Sequence, residues 1–296
     1  MAAEESMTAF PPQRILCPTD FSELATFALR YAAELARCSN ARLLVMYADP
    51  FLPPPHFTLG QVEELLHALE RAKEATRRHL AEYAQSIVGE SVPIETHLVE
   101  DTPARAILTT AREHQADLIV MGTHGRSGLS RVMLGSVTER VLRESDRPVL
   151  TIRYKPNAGP EPHVSIQRLL CPVNYTPVAM KALQSAVVVA QCFEAGLAVM
   201  HVLEAEAQKT TEREALAHLC EWVPEDVRLR CQVKEMIRRG DAAKQIIEVA
   251  RELESDLIVL GAQHKRFFDT TVIGTTTVRV TRHAPCPVLV VPSAEP

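Results

Sequence analysis

The chain has 296 residues, of which 46% are hydrophobic and 23% charged, with a net charge of -5. No apolar run approaches the ~20 residues of a membrane-spanning helix, and the acidic balance supplies no basic footprint for DNA or RNA. The length exceeds the usual ~100 to 200 residues of one domain, so two domains are expected, each large enough to bury a core. Glycine is scarce: 11 residues where average usage near ~7% gives about 20. Four of these, Gly122, Gly125, Gly128 and Gly135, fall within one 14-residue window, which is where function is expected.

Residues 1–12 carry no positive n-region, apolar h-region or twin arginine, so a flexible tail and a cytoplasmic location are expected. Seven cysteines are an odd number without a C-x-x-C pair, and Cys17 and Cys171 sit inside apolar runs. They are expected to be buried thiols in a reducing compartment, not a disulfide framework or a zinc site.

Elements alternate along the first half. Residues 15–17 form a short apolar run typical of a strand, and 23–37 carry apolar residues at helical spacing. Strands at 42–48, 94–99, 118–121 and 149–152 then alternate with helices at 62–87, 103–114 and 136–144. In the longest helix Val62, Leu65, Leu66, Leu69, Leu80, Tyr83 and Ile87 share one face. Nearly continuous apolar strands alternating with helices predict a parallel sheet covered on both faces. After this, 154–163 is rich in proline and glycine and reads as a linker.

Beyond the linker the pattern returns. Residues 15–48 match 169–202 at an offset of 154, since 171 − 17 and 192 − 38 give the same value for two cysteine pairs. Residues 116–125 match 255–264, and 147–152 match 286–291, both at an offset of 139. The second copy is therefore 15 residues shorter, and the shortening falls in the counterpart of 51–92. The expected organisation is two tandem doubly wound α/β domains, 13–153 and 165–296, joined by a linker at 154–164.

The glycine window follows the strand at 118–121 directly, at the kind of strand end where doubly wound sheets bind ligands. Glycines let backbone N–H groups approach an anion and tolerate positive φ, and Gly135 and Ser136 open a helix whose free N–H groups favour phosphate. Ser136 and Glu139 also have capping-box spacing, as do Asp20 and Glu23, so each can serve as a helix cap, a ligand contact, or both. His124 has no second His or Cys at ligand spacing, so no metal site is expected, and His97 and His114 read as solvated or satisfied. Arg126 and Arg131 could meet phosphate charge, Arg126 the better placed beside Gly125.

The strings PTDFS, DLIVMGTHGRSG, LGSVTERVL and RPVLTI, with the spacing G-x2-G-x9-G-[S/T] met by Gly122, Gly125, Gly135 and Ser136, resemble the universal stress protein family. The resemblance covers both copies. It implies a five-stranded parallel sheet flanked by helices in each copy, of the adenine nucleotide alpha hydrolase-like fold, with ATP, with or without Mg2+, at the switch point. It implies that Thr19, Asp20 and Ala48 lie at the adenosine, that Met121, Gly122, Gly125 and Arg126 wrap the ribose and phosphates, and that Gly135, Ser136, Val137 and Thr138 form the helix start. It further implies pairing of the last strands, here internally through 149–152 and 288–291, with a homodimer and a protein partner as further expectations.

The second copy departs from the pattern. Asn174 replaces the aspartate and His264 the second glycine, while Val202, Gly261, Gly274 and Thr275 keep their places; Lys265, Arg266, Phe267 and Phe268 replace small polar residues. Added bulk there predicts a degenerate second site. Three functions stay open at this point: a nucleotide-dependent stress regulator with no catalytic residues, a slow ATPase or nucleotidyl transferase, and a scaffold that binds no nucleotide.

Overall fold

The computed structural model describes residues 10–50, 59–125, 134–153, 164–204, 211–262, 264–267 and 270–293. The expected tail before residue 10 and the linker stretch 154–163 lie outside them. The first half runs β1 (Arg14–Thr19), α1 (Glu23–Ser39), β2 (Arg42–Ala48), α2 (Leu59–Val88), β3 (Ile94–Val99), α3 (Pro103–Glu113), β4 (Leu118–Gly122), α4 (Ser136–Glu144) and β5 (Val149–Ile152). The second half begins β6 (Arg168–Val173), α5 (Pro177–Phe193), β7 (Gly196–Leu203), α6 (Glu212–Trp222), α7 (Glu225–Arg230), β8 (Val233–Arg239) and α8 (Ala242–Glu252). It closes with β9 (Leu257–Ala262), β10 (His264–Phe267), β11 (Thr270–Ile273), α9 (Thr275–His283) and β12 (Val288–Pro292).

Among the described residues, the elements of the two copies differ in two places. The 30-residue α2 stands where the second half has the 11-residue α6 and the 6-residue α7. In the counterpart of the glycine window, β10 and β11 pair antiparallel, so a hairpin replaces the loop that the repeat predicts. The apolar face of α2 buries Leu80, Ala84 and Val88 with Tyr83 and Ile87 beside them, whereas Leu69 is only half-buried; Val62, Leu65 and Leu66 lie outside the described side chains.

Local chemistry fixes the long first helix of each half at the same points. Ser22 caps α1 by accepting from the Ala25 N–H, and Asn40 ends it in the left-handed region. Thr176 caps α5 by accepting from the Ala179 N–H, with Pro177 in the first turn and Glu194 in the left-handed region at the end.

Ten strands form one sheet in the order β3-β2-β1-β4-β5-β12-β9-β6-β7-β8. Alternate strand residues feed opposite faces: Ile15, Cys17 and Val120 pack under α1 and α2, and Leu16, Ile119 and Met121 pack under α3 and α4. The first of these clusters continues across the seam through Ile152, Leu289 and Val291 to Leu183, Ala186 and Val187 of α5.

The seam is antiparallel: β12 pairs β5 with Val288 opposite Thr151, Leu289 opposite Leu150 and Val290 opposite Val149, while every other pairing in the sheet is parallel. The Thr151 hydroxyl, fully buried, donates to the Val288 carbonyl at 3.1 Å. Arg153, just past β5, donates to the carbonyls of Thr281 (3.3 Å) and Arg282 in the last turn of α9, where a cation also meets the negative end of the helix dipole. On the surface Arg282 faces Glu139 of α4 at 3.7 Å.

One sequence expectation fails here. Cys38 and Cys192 are joined as a disulfide with Cα atoms 5.8 Å apart. Equivalent turns at the ends of α1 and α5 meet across the seam, which brings together two residues 154 positions apart. The other cysteines remain thiols: Cys17, Cys171 and Cys286 are buried as expected, whereas Cys231 is half-buried and Cys220 exposed. Burial pushes the Cys171 thiol up to about 12 and raises that of Cys17 further.

Leu150, 1% exposed and opposite Leu289, tests the seam. Leu150→Ala is expected to cost about 2–5 kcal/mol of stability, read as a lower midpoint in chemical denaturation; a loss below about 1 kcal/mol would contradict tight packing at this position.

Candidate ligand pocket at the switch point of the first half

Strand order in the first half reverses between β2-β1 and β4-β5, and the carboxyl ends of β1 and β4 diverge there. A cavity of about 180 Å³ opens at this point. Pro18, Thr19 and Asp20 line it from the end of β1, Tyr47 and Ala48 from β2, Met121, Gly122, His124 and Gly125 from β4 and its loop, and Val137 and Thr138 from α4. Of the residues expected at a ligand, Thr19, Asp20, Ala48, Met121, Gly122, Gly125, Val137 and Thr138 are thus brought together. Gly135 and Ser136 stand next to the lining at the start of α4, and Arg126, with Gly128 and Arg131, falls outside the described residues.

The turn after β1 is built by side chains. The Asp20 carboxylate accepts from the Ser22 N–H at 3.1 Å and the Ser22 hydroxyl at 2.5 Å. The Thr19 hydroxyl accepts from the Phe21 N–H at 3.0 Å and contacts the Tyr83 hydroxyl at 3.2 Å. The cap of α1 is therefore Ser22 and not Asp20, whose carboxylate holds the cap in place. Between them Phe21 takes φ 60°, a left-handed conformation uncommon for a bulky residue. Its ring packs against Tyr47, His79 and Tyr83, with centroids 5.0, 4.8 and 5.0 Å away, and these contacts offset the backbone cost.

The glycines serve close approach. A Cβ on Gly125 would lie 2.6 Å from Asp20 Oδ2, and one on Gly122 would lie 2.9 Å from Leu24 Cγ. Neither takes a left-handed φ, so freedom of φ, which the sequence also allowed, is not what these positions use. The loop is tied to the sheet by Thr123 N–H to the Ile152 carbonyl (2.9 Å) and Gly135 N–H to the Thr123 carbonyl (2.7 Å). The Thr138 hydroxyl donates to the Gly122 carbonyl at 2.9 Å.

Gly135 is the N-cap of α4 and makes no side-chain cap bond, so Ser136 is the first helical residue and the expected capping box does not form. Ser136 is exposed. The N–H groups of the first turn, at Ser136, Val137 and Thr138, have no partner within an α-helix and stand where the dipole favours an anion. His124 is held below its ordinary value near 6.5, first by burial and then by Arg153, with Asp20 opposing; its imidazole is neutral at neutral pH.

The second half keeps the scaffold and changes the site. Asn174 Oδ1 accepts from the Thr176 hydroxyl at 2.7 Å, and Tyr175 takes φ 61° with its ring against His201, His218 and Trp222. Val202 lies on β7 and is half-buried, Gly261 on β9 would put a Cβ 2.7 Å from the Val178 carbonyl oxygen, and Gly274 and Thr275 start α9. His264 begins β10. Away from both places, Glu95, His97 and His114 bring ligand-type atoms within 4.8 Å of one another, a grouping in space that sequence spacing does not show; Glu95 is largely exposed and pairs with His97 at 2.9 Å.

This architecture defines a tandem α/β chain with a cavity at the switch point of its first half. A sequence profile of the universal stress protein family matches residues 12–153 and 165–292, and the chain belongs to that family. It is 34% identical over 145 residues to the universal stress protein MJ0531 of Methanocaldococcus jannaschii, covering 48% of this chain and 82% of that one. A universal stress protein of Mycolicibacterium smegmatis is 25% identical over 297 residues, covering 94% and 96%. The crystal structure of a universal stress protein from Archaeoglobus fulgidus superposes with a TM-score of 0.67 at 21% identity, covering 94% and 97%, which shows the shared fold. None of the described helices is long and apolar enough to cross a membrane.

His124 gives a pH test. Its folded value lies below the unfolded one, so the unfolded chain takes up its proton first as pH falls through about 6.5, and stability drops there. His124→Gln is expected to flatten that part of the stability profile, measured by denaturation midpoints across the range; an unchanged slope would show that burial does not hold the His124 imidazole neutral.

Proposed function

We propose that the chain is an ATP-binding stress-response regulator, with residues 13–153 as the nucleotide-binding domain and 165–296 as a domain whose site has degenerated. The observation that carries this reading is the convergence on one cavity of Asp20, the closely approached glycines 122 and 125 and the first turn of α4. An acceptor at the β1 end suits the polar edge of a base or the hydroxyls of a ribose. The glycine backbone and helix N-terminus suit phosphates. The bound nucleotide, with or without Mg2+, would bias a surface read by a partner protein.

A second reading, slow ATP hydrolysis, is favoured by one observation: His124 lines the cavity and is neutral at neutral pH, as a general base must be.

Protein purified without added nucleotide, then heat-denatured, is expected to release adenine nucleotide at close to one per chain. Gly125→His is expected to lose ATP binding by at least about tenfold, because its Cβ alone would meet the Asp20 carboxylate, whereas His264→Gly leaves the stoichiometry unchanged. An empty wild-type protein with no calorimetric ATP signal would overturn the proposal. ATP turnover that survives His124→Gln would remove His124 as its general base, and a wild-type protein with no turnover above background would remove the second reading.

A further inference from the structure

Cys38 and Cys192 occupy the same position in the two copies, 154 residues apart, and stand at the ends of α1 and α5, the helices that face each other across the seam. Their Cα separation of 5.8 Å is at the usual value for a disulfide. Unlike Cys17, Cys171 and Cys286, they are not enclosed: Cys38 is exposed and Cys192 half-buried. A purely structural bridge gains from burial, whereas an accessible one is open to attack by thiolates in solution.

We propose that Cys38 and Cys192 form a reversible thiol–disulfide site that exchanges with low-molecular-weight thiols and locks the two halves together in its oxidised form. In reduction, the thiolate of an external thiol attacks the sulfur of Cys38, the more exposed residue of the pair. The Cys38–Cys192 bond breaks, Cys192 leaves as a thiolate that takes up a proton, and a mixed disulfide remains on Cys38. A second external thiolate attacks the external sulfur of that mixed disulfide and releases Cys38. The sum is one protein disulfide and two thiols converted to two protein thiols and one small disulfide. Oxidation is the reverse, with the small disulfide as oxidant.

The seam pairing of β5 with β12 does not depend on the bridge, so the reduced chain keeps its fold and loses only the covalent tie. That tie closes a long stretch of chain, and a cross-link of this reach restricts the unfolded state strongly.

The test uses the full chain equilibrated in glutathione buffers of graded ratio, then alkylated under native conditions and mapped by peptide mass. Cys38 and Cys192 are expected to pass together, and reversibly, from a linked peptide to two alkylated ones, while exposed Cys220 never appears in a linked peptide. The thermal midpoint is expected to fall by about 5 °C or more on reduction. Cys38→Ser should remove that redox dependence of the midpoint and yield no linked peptide at Cys192 in any buffer. A linked peptide that never forms in oxidised glutathione, or one that persists in the native protein under excess reduced glutathione, would overturn the proposal. So would a midpoint shift that survives in Cys38→Ser.

Discussion

The antiparallel pairing of β5 with β12 is the constraint on which the rest of the molecule depends. A parallel five-stranded sheet ends in an edge whose backbone groups need partners, and here each half supplies the partner for the other. Once Leu150 faces Leu289, the two halves are related by an approximate two-fold through the seam. Equivalent helices then meet: α1 lies against α5, and α4 comes to α9 where Glu139 faces Arg282, while Arg153 reaches the end of α9. The disulfide is a consequence of that geometry, since equivalent residues near the axis are the ones brought close.

The same alternation of strands and helices that builds the sheet places the cavity. Because β1 and β4 are neighbours whose following helices α1 and α4 fold to opposite faces, the chain leaves a gap beyond their ends. Key parts of its wall are held by bonds made for other reasons: Thr138 by the Gly122 carbonyl, Gly135 by Thr123, and Asp20 by the cap of α1. These bonds fix the described wall of the cavity through the fold's own contacts.

Much of this is legible in the sequence. The strands at 42–48, 94–99 and 149–152 and the helix at 136–144 have the bounds that patterning predicts: the inner strands at 42–48 and 149–152 are nearly continuous apolar runs, and the edge strand at 94–99 mixes apolar and polar residues and is only partly buried. Other ends differ. β1 extends from the apolar core at 15–17 to Arg14–Thr19, since Pro18 and Thr19 continue the register opposite Met46 and Tyr47. The true caps are not legible: spacing cannot show that Gly135 is drawn back to Thr123, which makes Ser136 the first helical residue instead of the cap. The pairing of Cys38 with Cys192 is hidden in the same way. The equal offset marks them as equivalent, but their meeting follows only from the axis between the halves.

The turn after the first strand has a bearing on how the two copies diverged. Phe21 and Tyr175 adopt the same left-handed backbone, each with an aromatic ring seated among rings, although the residue before it is Asp in one copy and Asn in the other. The unusual conformation has therefore outlived the change of the neighbouring polar side chain, and its cause lies in the architecture of the fold. Both halves keep this turn, and they part company in the elements that follow it, the long α2 against the shorter α6 and α7.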